Sequence, residues 1–590
     1  MKFARKTVCL LAAVLLLLGL AACGGPKDTP ASSPAPAAQA ESSSEVDHLV
    51  KLCKVWGYTK YRHPTFLKGE KDWDAELQAL IPQVRAAQSS QQVNELLHTW
   101  FVGLGEVKPS SGLGAFVGRL WTSLWSDTEQ KSPQGGWFVP GDQDWVQDEG
   151  YLGEALAEDL GKLSCDLSVP SSNAGPVVWK ENGSITFSNE TAPDLDAQDV
   201  DMRLTGMFRF WNAVEYYDPY VDLTDQSWEQ TLQEVLPQML KADTQQKYEQ
   251  VLLTMAVRLQ DEAVALWDMQ TGVRVGLADA TRYAVPTPLA VVQEQLVVAQ
   301  TIEGCPLEQG DVLLAVDGHT IEEQAQRVAQ WYSTTREEVL LSSAARIIAA
   351  GDTPQLEVTV QRQGQPLTLS VSAEAAAAIP QPAAYEMLEG NIALLHPELL
   401  ENEAQLYAVM KEVKAADALI LDLRSNSQNG VSLGLCSYLP ALNQWALTMY
   451  MPAGICPGGY TQQTIQYGYI SSPYLVAKGI YPWEKPAVVL VDQSTASVHE
   501  MVAAILRTAD NVTLLGRPTT GALGGVVYLP LPGGVRISFS PNAMTAADGT
   551  QLQRVGVCPD VYVEPTIQGI AQGRDEQLEA AWEFLKNKGR

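Results

Sequence analysis

The chain has 590 residues, 46% of them apolar, and a formal net charge of −29. That length predicts about four domains. The acid excess excludes nucleic acid, which needs clustered Lys and Arg, and a polybasic hold on anionic lipid.

Lys2, Arg5 and Lys6 precede an apolar run from Val8 to Leu20, too short to span a bilayer comfortably. The run ends in Leu20-Ala21-Ala22-Cys23, which resembles a bacterial lipobox. Residues 1–22 then read as a lipoprotein signal peptide and Cys23 as the lipidated residue. This predicts an extracytoplasmic protein anchored in the cell membrane. Residues 23–45, rich in Pro, Ala and Ser, read as a disordered tether. Beyond Cys9 and Cys23, the cysteines Cys53, Cys165, Cys305, Cys436, Cys456 and Cys558 are scattered, without CxxC spacing. Disulfide pairing and free buried thiols both fit that spacing. The six histidines stand apart in sequence, so no metal or other cofactor is implied.

Residues 46–109 and 201–270 form an internal repeat without a gap. Trp56 matches Trp211, Tyr61 matches Tyr216, Pro64 matches Pro219, Trp73 matches Trp228 and Pro82 matches Pro237. Each copy reads as three helices whose aromatic residues pack in a helix–helix core. Between them, 110–200 is an irregular β insert, with PVVWKENGSITFSN as a hairpin turning at Asn-Gly. Residues 275–375 alternate apolar and polar over short strands around helical RVAQWYSTTREEVLLSSAARII. From 380 to 590 the apolar strands NIALLH, ALILDLRS, AVVLVD and NVTLLG alternate with helical segments, a right-handed βαβ layout closed by a terminal helix in RDEQLEAAWEFLKNK. The whole is a multidomain α+β chain.

Within AVVLVDQSTASVHE, Ser497 follows a strand and opens a helix. Free backbone N–H groups at such a helix start could hold an oxyanion. Ser497 with Glu500 three residues on is equally the pattern of a capping box, which only starts a helix.

Two resemblances bear on function. Cys305–Gly318, CPLEQGDVLLAVDG, resembles the core of PDZ domains, which bind chain ends by strand addition; a domain that only packs or gates its neighbour is the alternative. FRFWNAVEYYDPY, GDVLLAVDG, ALILDLRSN, VDQSTASVHE, GRPTTGALGG and DGTQLQRVGVCPDV together resemble the tail-specific, or C-terminal-processing, serine peptidases, in the branch related to the tricorn core. The resemblance implies a crotonase-type α/β peptidase core and places Ser497 at the nucleophile position. It also implies helpers that this chain replaces. Ala522 stands at the lysine position of the lysine-dependent branch, and Ala263 stands at the histidine position of the tricorn-like branch. Gln553 stands where a glutamate is expected. The oxyanion turn has become Arg424-Ser425-Asn426-Ser427-Gln428-Asn429-Gly430, leaving Gln428, Asn429, Gly430 and Val498 as the oxyanion region.

Serine is a poor nucleophile without a base, and losing the base costs orders of magnitude in turnover. His499 lies two residues from Ser497, a spacing that does not face it on a helix. His396 and Lys108 could approach only through the fold. The resemblance thus implies a peptide- or protein-directed serine peptidase, while the substitutions predict weak or absent hydrolysis. The alternative is a non-catalytic peptide-binding or scaffolding pseudopeptidase.

Overall fold

In the computed structural model the described residues are 37–107, 136–137, 143–163, 173–180, 183–276, 283–374, 382–427, 430–439, 444–452, 457–467 and 482–588. Met1–Ser44 and Glu45–Arg590 separate as two compact units. Of the first, only the opening turns of the helix Ala37–Lys60 are described.

The repeated segments carry the helices Ala37–Lys60, Trp73–Ala86 and Ser90–Gly103, and then Val200–Tyr217, Trp228–Leu240 and Gln245–Val257. Side chains of Asp72 and Ser227 cap the second helix of each set, and those of Ser89 and Thr244 cap the third. One bond recurs at the repeat offset: the Trp56 indole donates to Trp73 O at 2.9 Å, and the Trp211 indole donates to Trp228 O at 2.9 Å. The copies meet through matched positions. A Cβ on Gly57 would lie 1.7 Å from Asn212 Oδ1, and the Tyr61 and Tyr216 rings sit edge-on at 5.7 Å. Matched residues in mutual contact give the pair a local two-fold relation.

Glu190, near the end of the 110–200 stretch, is wholly buried between the copies. It forms ion pairs with Lys60 Nζ at 2.6 Å and Arg209 Nε at 3.0 Å and accepts from the Trp73 indole at 3.2 Å, while Arg209 also pairs with Asp74. Burying four charges is tolerable only because each is paired. Further back in that stretch, Val178–Trp179 pairs antiparallel with Ile185–Thr186, the hairpin expected there.

The boundary drawn at residue 270 needs correction. Ala265–Asp268 pairs antiparallel with Val535–Phe539, which pairs with Val527–Leu531. The end of the second repeat is therefore part of a sheet made by the C-terminal region.

Between them, the strands Gln365–Ser372, Gln355–Arg362, Val312–Val316, Gln295–Val298 and Leu289–Val292 lie in that spatial order in one antiparallel sheet. A capping box of Thr320 and Glu323 starts the helix Ile321–Ala329 beside it. The long helical run expected here is broken. The helix ends at Ala329 and short turns resume only from Glu337. In the gap Arg336 is extended and aims its guanidinium at the neighbouring domain.

The α/β region is a sheet in the order Tyr385–Leu388, Ile392–Leu395, Ala418–Asp422, Ala487–Val491, Val512–Gly516 and Val561–Tyr562. All pairs are parallel except the first. Ala487–Val491 is buried throughout, as a central strand covered on both faces must be. Val489 and Val491 join the core under the helices Glu403–Val413 and Val498–Leu506, while Val488 and Leu490 face the terminal helix Glu576–Lys588. Among the described residues no helix is long and apolar enough to cross a membrane.

Candidate functional site around Ser497

Leaving the central strand, residues 492–495 form a tight turn. Asp492 Oδ1 accepts from Ser494 N at 2.8 Å, and Thr495 Oγ1 donates to Leu423 O at 2.9 Å. The chain then enters the helix Val498–Leu506 through Ser497, at φ 54° and ψ −121°. Positive φ is costly for a residue with a Cβ, and such strain collects at functional sites. The capping box read at Ser497 and Glu500 is absent. The serine hydroxyl caps no amide of the helix and has no hydrogen-bond partner among the described residues.

Glu500 points elsewhere. Its buried carboxylate accepts from the Thr519 hydroxyl, from Gly521 N at 2.7 Å and from Ala522 N at 2.9 Å. The glutamate thus ties the loop carrying Ala522 to the helix opened by Ser497. Burial raises the Glu500 carboxyl to about 7, against these three donors, and nearby Glu262 pushes it the same way. Gln553, also buried, accepts from Leu523 N at 3.0 Å and so holds the next residue of that loop. Ala263 joins the same neighbourhood through its flank. Asp261 accepts from Ala263 N at 2.9 Å and is raised by burial, against the nearby Ser540 and Gln553 side chains. Glu262, raised to about 7 mainly by burial, accepts from Ser343. Ala263, Ala522 and Gln553 are therefore gathered around one loop held to the Ser497 helix, although they are far apart in sequence.

Among the described residues, neither His499 nor His396 has a hydrogen bond to Ser497. The His499 ring is buried and committed to Ser425, Ser432 and Leu423 O. His396 Nδ1 lies 3.6 Å from Glu398 and 3.9 Å from Asp422. These carboxylates hold its pKa above the ordinary value although burial opposes them. Lys108 lies outside the described residues, as do Gln428, Asn429 and Cys23. Of the oxyanion region, Asn426–Ser427 pairs parallel with Ala496–Ser497, setting Ser427 opposite Ser497. Gly430 opens the following 3-10 turn, Gly430–Ser437, and Val498 is the first helical residue. Backbone from two segments thus flanks the serine, an arrangement able to bind an anionic or tetrahedral centre.

Residues 442–563, spanning the turn, helix and clamped loop, match the model of peptidase family S41. The carboxyl-terminal-processing protease of Synechocystis is 26% identical over 302 residues, covering 49% of this chain and 65% of that protein. The carboxy-terminal processing protease CtpA of Bacillus subtilis is 29% identical over 153 residues, covering 26% and 30%. With residues 442–563 matching peptidase family S41, the chain is similar to tail-specific proteases. It spans about two thirds or less of these tail-specific relatives' length. Among solved structures, a putative peptidase from Parabacteroides merdae has a TM-score of 0.42 at 14% identity, covering 66% of this chain and 97% of that one. Mature CPAF bound to lactacystin has a TM-score of 0.46 at 14% identity, covering 66% and 98%.

Two features of this site escaped sequence reading. Glu500 is a loop clamp, and His499 ties down the turn opposite. The signal was present in VHEMVAAIL, where a histidine and a glutamate sit in an otherwise apolar, buried helix. Such groups need partners. Four of the cysteines, Cys53, Cys305, Cys436 and Cys558, are free thiols, while Cys165 and Cys456 lie outside the described residues. Among the described residues no group of three or more His, Cys, Asp or Glu could hold a metal.

Proposed function

We propose that this chain is an extracytoplasmic lipoprotein, anchored through Cys23, whose S41-type core holds peptide or protein segments at Ser497 and hydrolyses them poorly. The supporting observation is the serine itself. Its backbone keeps a strained conformation suited to presenting a hydroxyl, yet that hydroxyl meets no base among the described residues. Ala522 and Ala263, at the family's base positions, offer no side chain that takes a proton. Gln553 cannot act as a carboxylate and instead holds Leu523 N. On this reading the 283–373 β domain is PDZ-like and presents chain ends to the core by strand addition.

A tagged fluorophosphonate and an extended fluorescent peptide test the proposal together. The expected result is saturable peptide binding with little labelling of the wild type above Ser497→Ala. Strong labelling lost in Ser497→Ala would instead establish a competent peptidase with an unorthodox base. Absence of both binding and labelling would remove the peptide-directed function altogether.

A further inference from the structure

The histidine beside the serine has its own assignment. His499 is fully buried on the helix Val498–Leu506. Its Nε2 lies 3.0 Å from Ser432 Oγ, and its Nδ1 lies 3.2 Å from Ser425 Oγ and 3.3 Å from Leu423 O. A carbonyl oxygen only accepts, so Nδ1 carries the proton and Nε2 is left to accept from the Ser432 hydroxyl. Burial favours this neutral ring.

The three partners stand on two described segments, 423–427 and 430–437. Leu423 and Ser425 precede the Asn426–Ser427 strand that pairs with Ser497, and Ser432 follows Gly430. The stretch Arg424–Gly430 contains no proline and one glycine, so its own sequence does little to fix its backbone. We infer that His499, as the Nδ1–H tautomer, is a positioning residue that ties Leu423 and Ser425 to Ser432 and so fixes the Asn426–Ser427 backbone facing Ser497. The inference rests on the site proposed above. His499 itself does not touch the ligand. It acts through the turn, and a displacement near 1 Å at a reacting centre can cost on the order of 100-fold.

Two measurements on the full chain separate the inference from the reading beneath it. The first needs no ligand. Nitrogen-15 spectra of the histidines should show His499 protonated at Nδ1, and His499→Ala should speed amide exchange across Leu423–Ser432 while leaving Val512–Gly516 unchanged. The second compares a peptidyl boronate with its parent peptide. Ser497 Oγ adds to boron, its proton passes to buffer, and the tetrahedral anion faces the turn. The wild type should prefer the boronate, and Ser497→Ala should not. His499→Ala should reduce that preference roughly 10- to 100-fold with parent-peptide affinity unchanged. His499→Asn, which can still bond Leu423 O and Ser425, should recover part of it.

An Nε2–H ring, or unchanged exchange in His499→Ala, overturns the clamp. Equal losses of boronate and parent affinity reduce His499 to a purely structural residue. Should the wild type show no boronate preference while exchange responds as expected, the proposed site fails and only the clamp survives.

Discussion

Replacing Ser497 distinguishes a strained presenting residue from a helix cap by stability alone. The hydroxyl makes no bond to the helix amides and none to other described groups, so Ser497→Ala removes nothing that holds the fold. Its cost should stay within about 0.5 kcal/mol. A capping serine would behave differently, losing about 1 kcal/mol on conversion to alanine. Glycine sharpens the contrast. At φ 54° and ψ −121° a side chain is unwelcome, and such conformations cost roughly 1–3 kcal/mol. Ser497→Gly relieves that strain, offset by roughly 0.5–1 kcal/mol for the freedom gained by the unfolded chain. The net expectation is a gain of about 1 kcal/mol. A multidomain chain does not unfold in two states, so the readout should be local. Native-state hydrogen exchange of the amides in Val502–Leu506, under increasing urea, reports on this helix. A loss near 1 kcal/mol in Ser497→Ala, with no gain in Ser497→Gly, would refute the reasoning and restore the cap.

Three further expectations follow from the same geometry. Glu500 titrates at about 7 in the folded chain, above its unfolded value, so the native state binds the extra proton. Its contribution is fully present below about pH 4.5 and is lost as pH rises through 7, a fall of roughly 3 kcal/mol; Glu500→Gln should flatten that part of a denaturation-versus-pH curve. Gly57→Ala drives a Cβ to 1.7 Å from Asn212 Oδ1, so it should destabilise the helical pair by about 1–3 kcal/mol, and Asn212→Gly should recover most of that in a double-mutant cycle. Arg336 donates to Thr519 O, Arg554 O and Val555 O, and the Thr335 hydroxyl donates to Thr520 O. Arg336→Ala should therefore loosen the 283–373 domain from the core, seen as faster proteolysis between residues 330 and 337 without a lower core melting temperature.

Much of this architecture was legible because its signals are local. Ala487–Val491 is apolar without interruption and can only be a strand covered on both faces. Trp56 and Trp211 stand at one offset and make one bond. What sequence reading missed depends on partners distant along the chain. Ser497 and Glu500 have the spacing of a capping box, and nothing nearby reveals that Glu500 bonds Gly521 and Ala522. The helix expected through residue 348 has suitable residues, yet three carbonyl acceptors from the core hold Arg336 extended. Ala265–Asp268 follows a helix in sequence but finds its partner in Val535–Phe539. Resemblance singled out Ala263, Ala522 and Gln553, and only the fold shows the bonds that hold the loops around them.

The most direct measurement is cleavage of an unstructured polypeptide by purified wild type and by Ser497→Ala, followed by mass spectrometry. Peptidases with a base commonly turn over at about 1 per second or faster, and loss of that base removes several orders of magnitude. The account predicts that the wild type binds the polypeptide yet cleaves it within about tenfold of the Ser497→Ala rate. Turnover near 1 per second, abolished in Ser497→Ala, would contradict it.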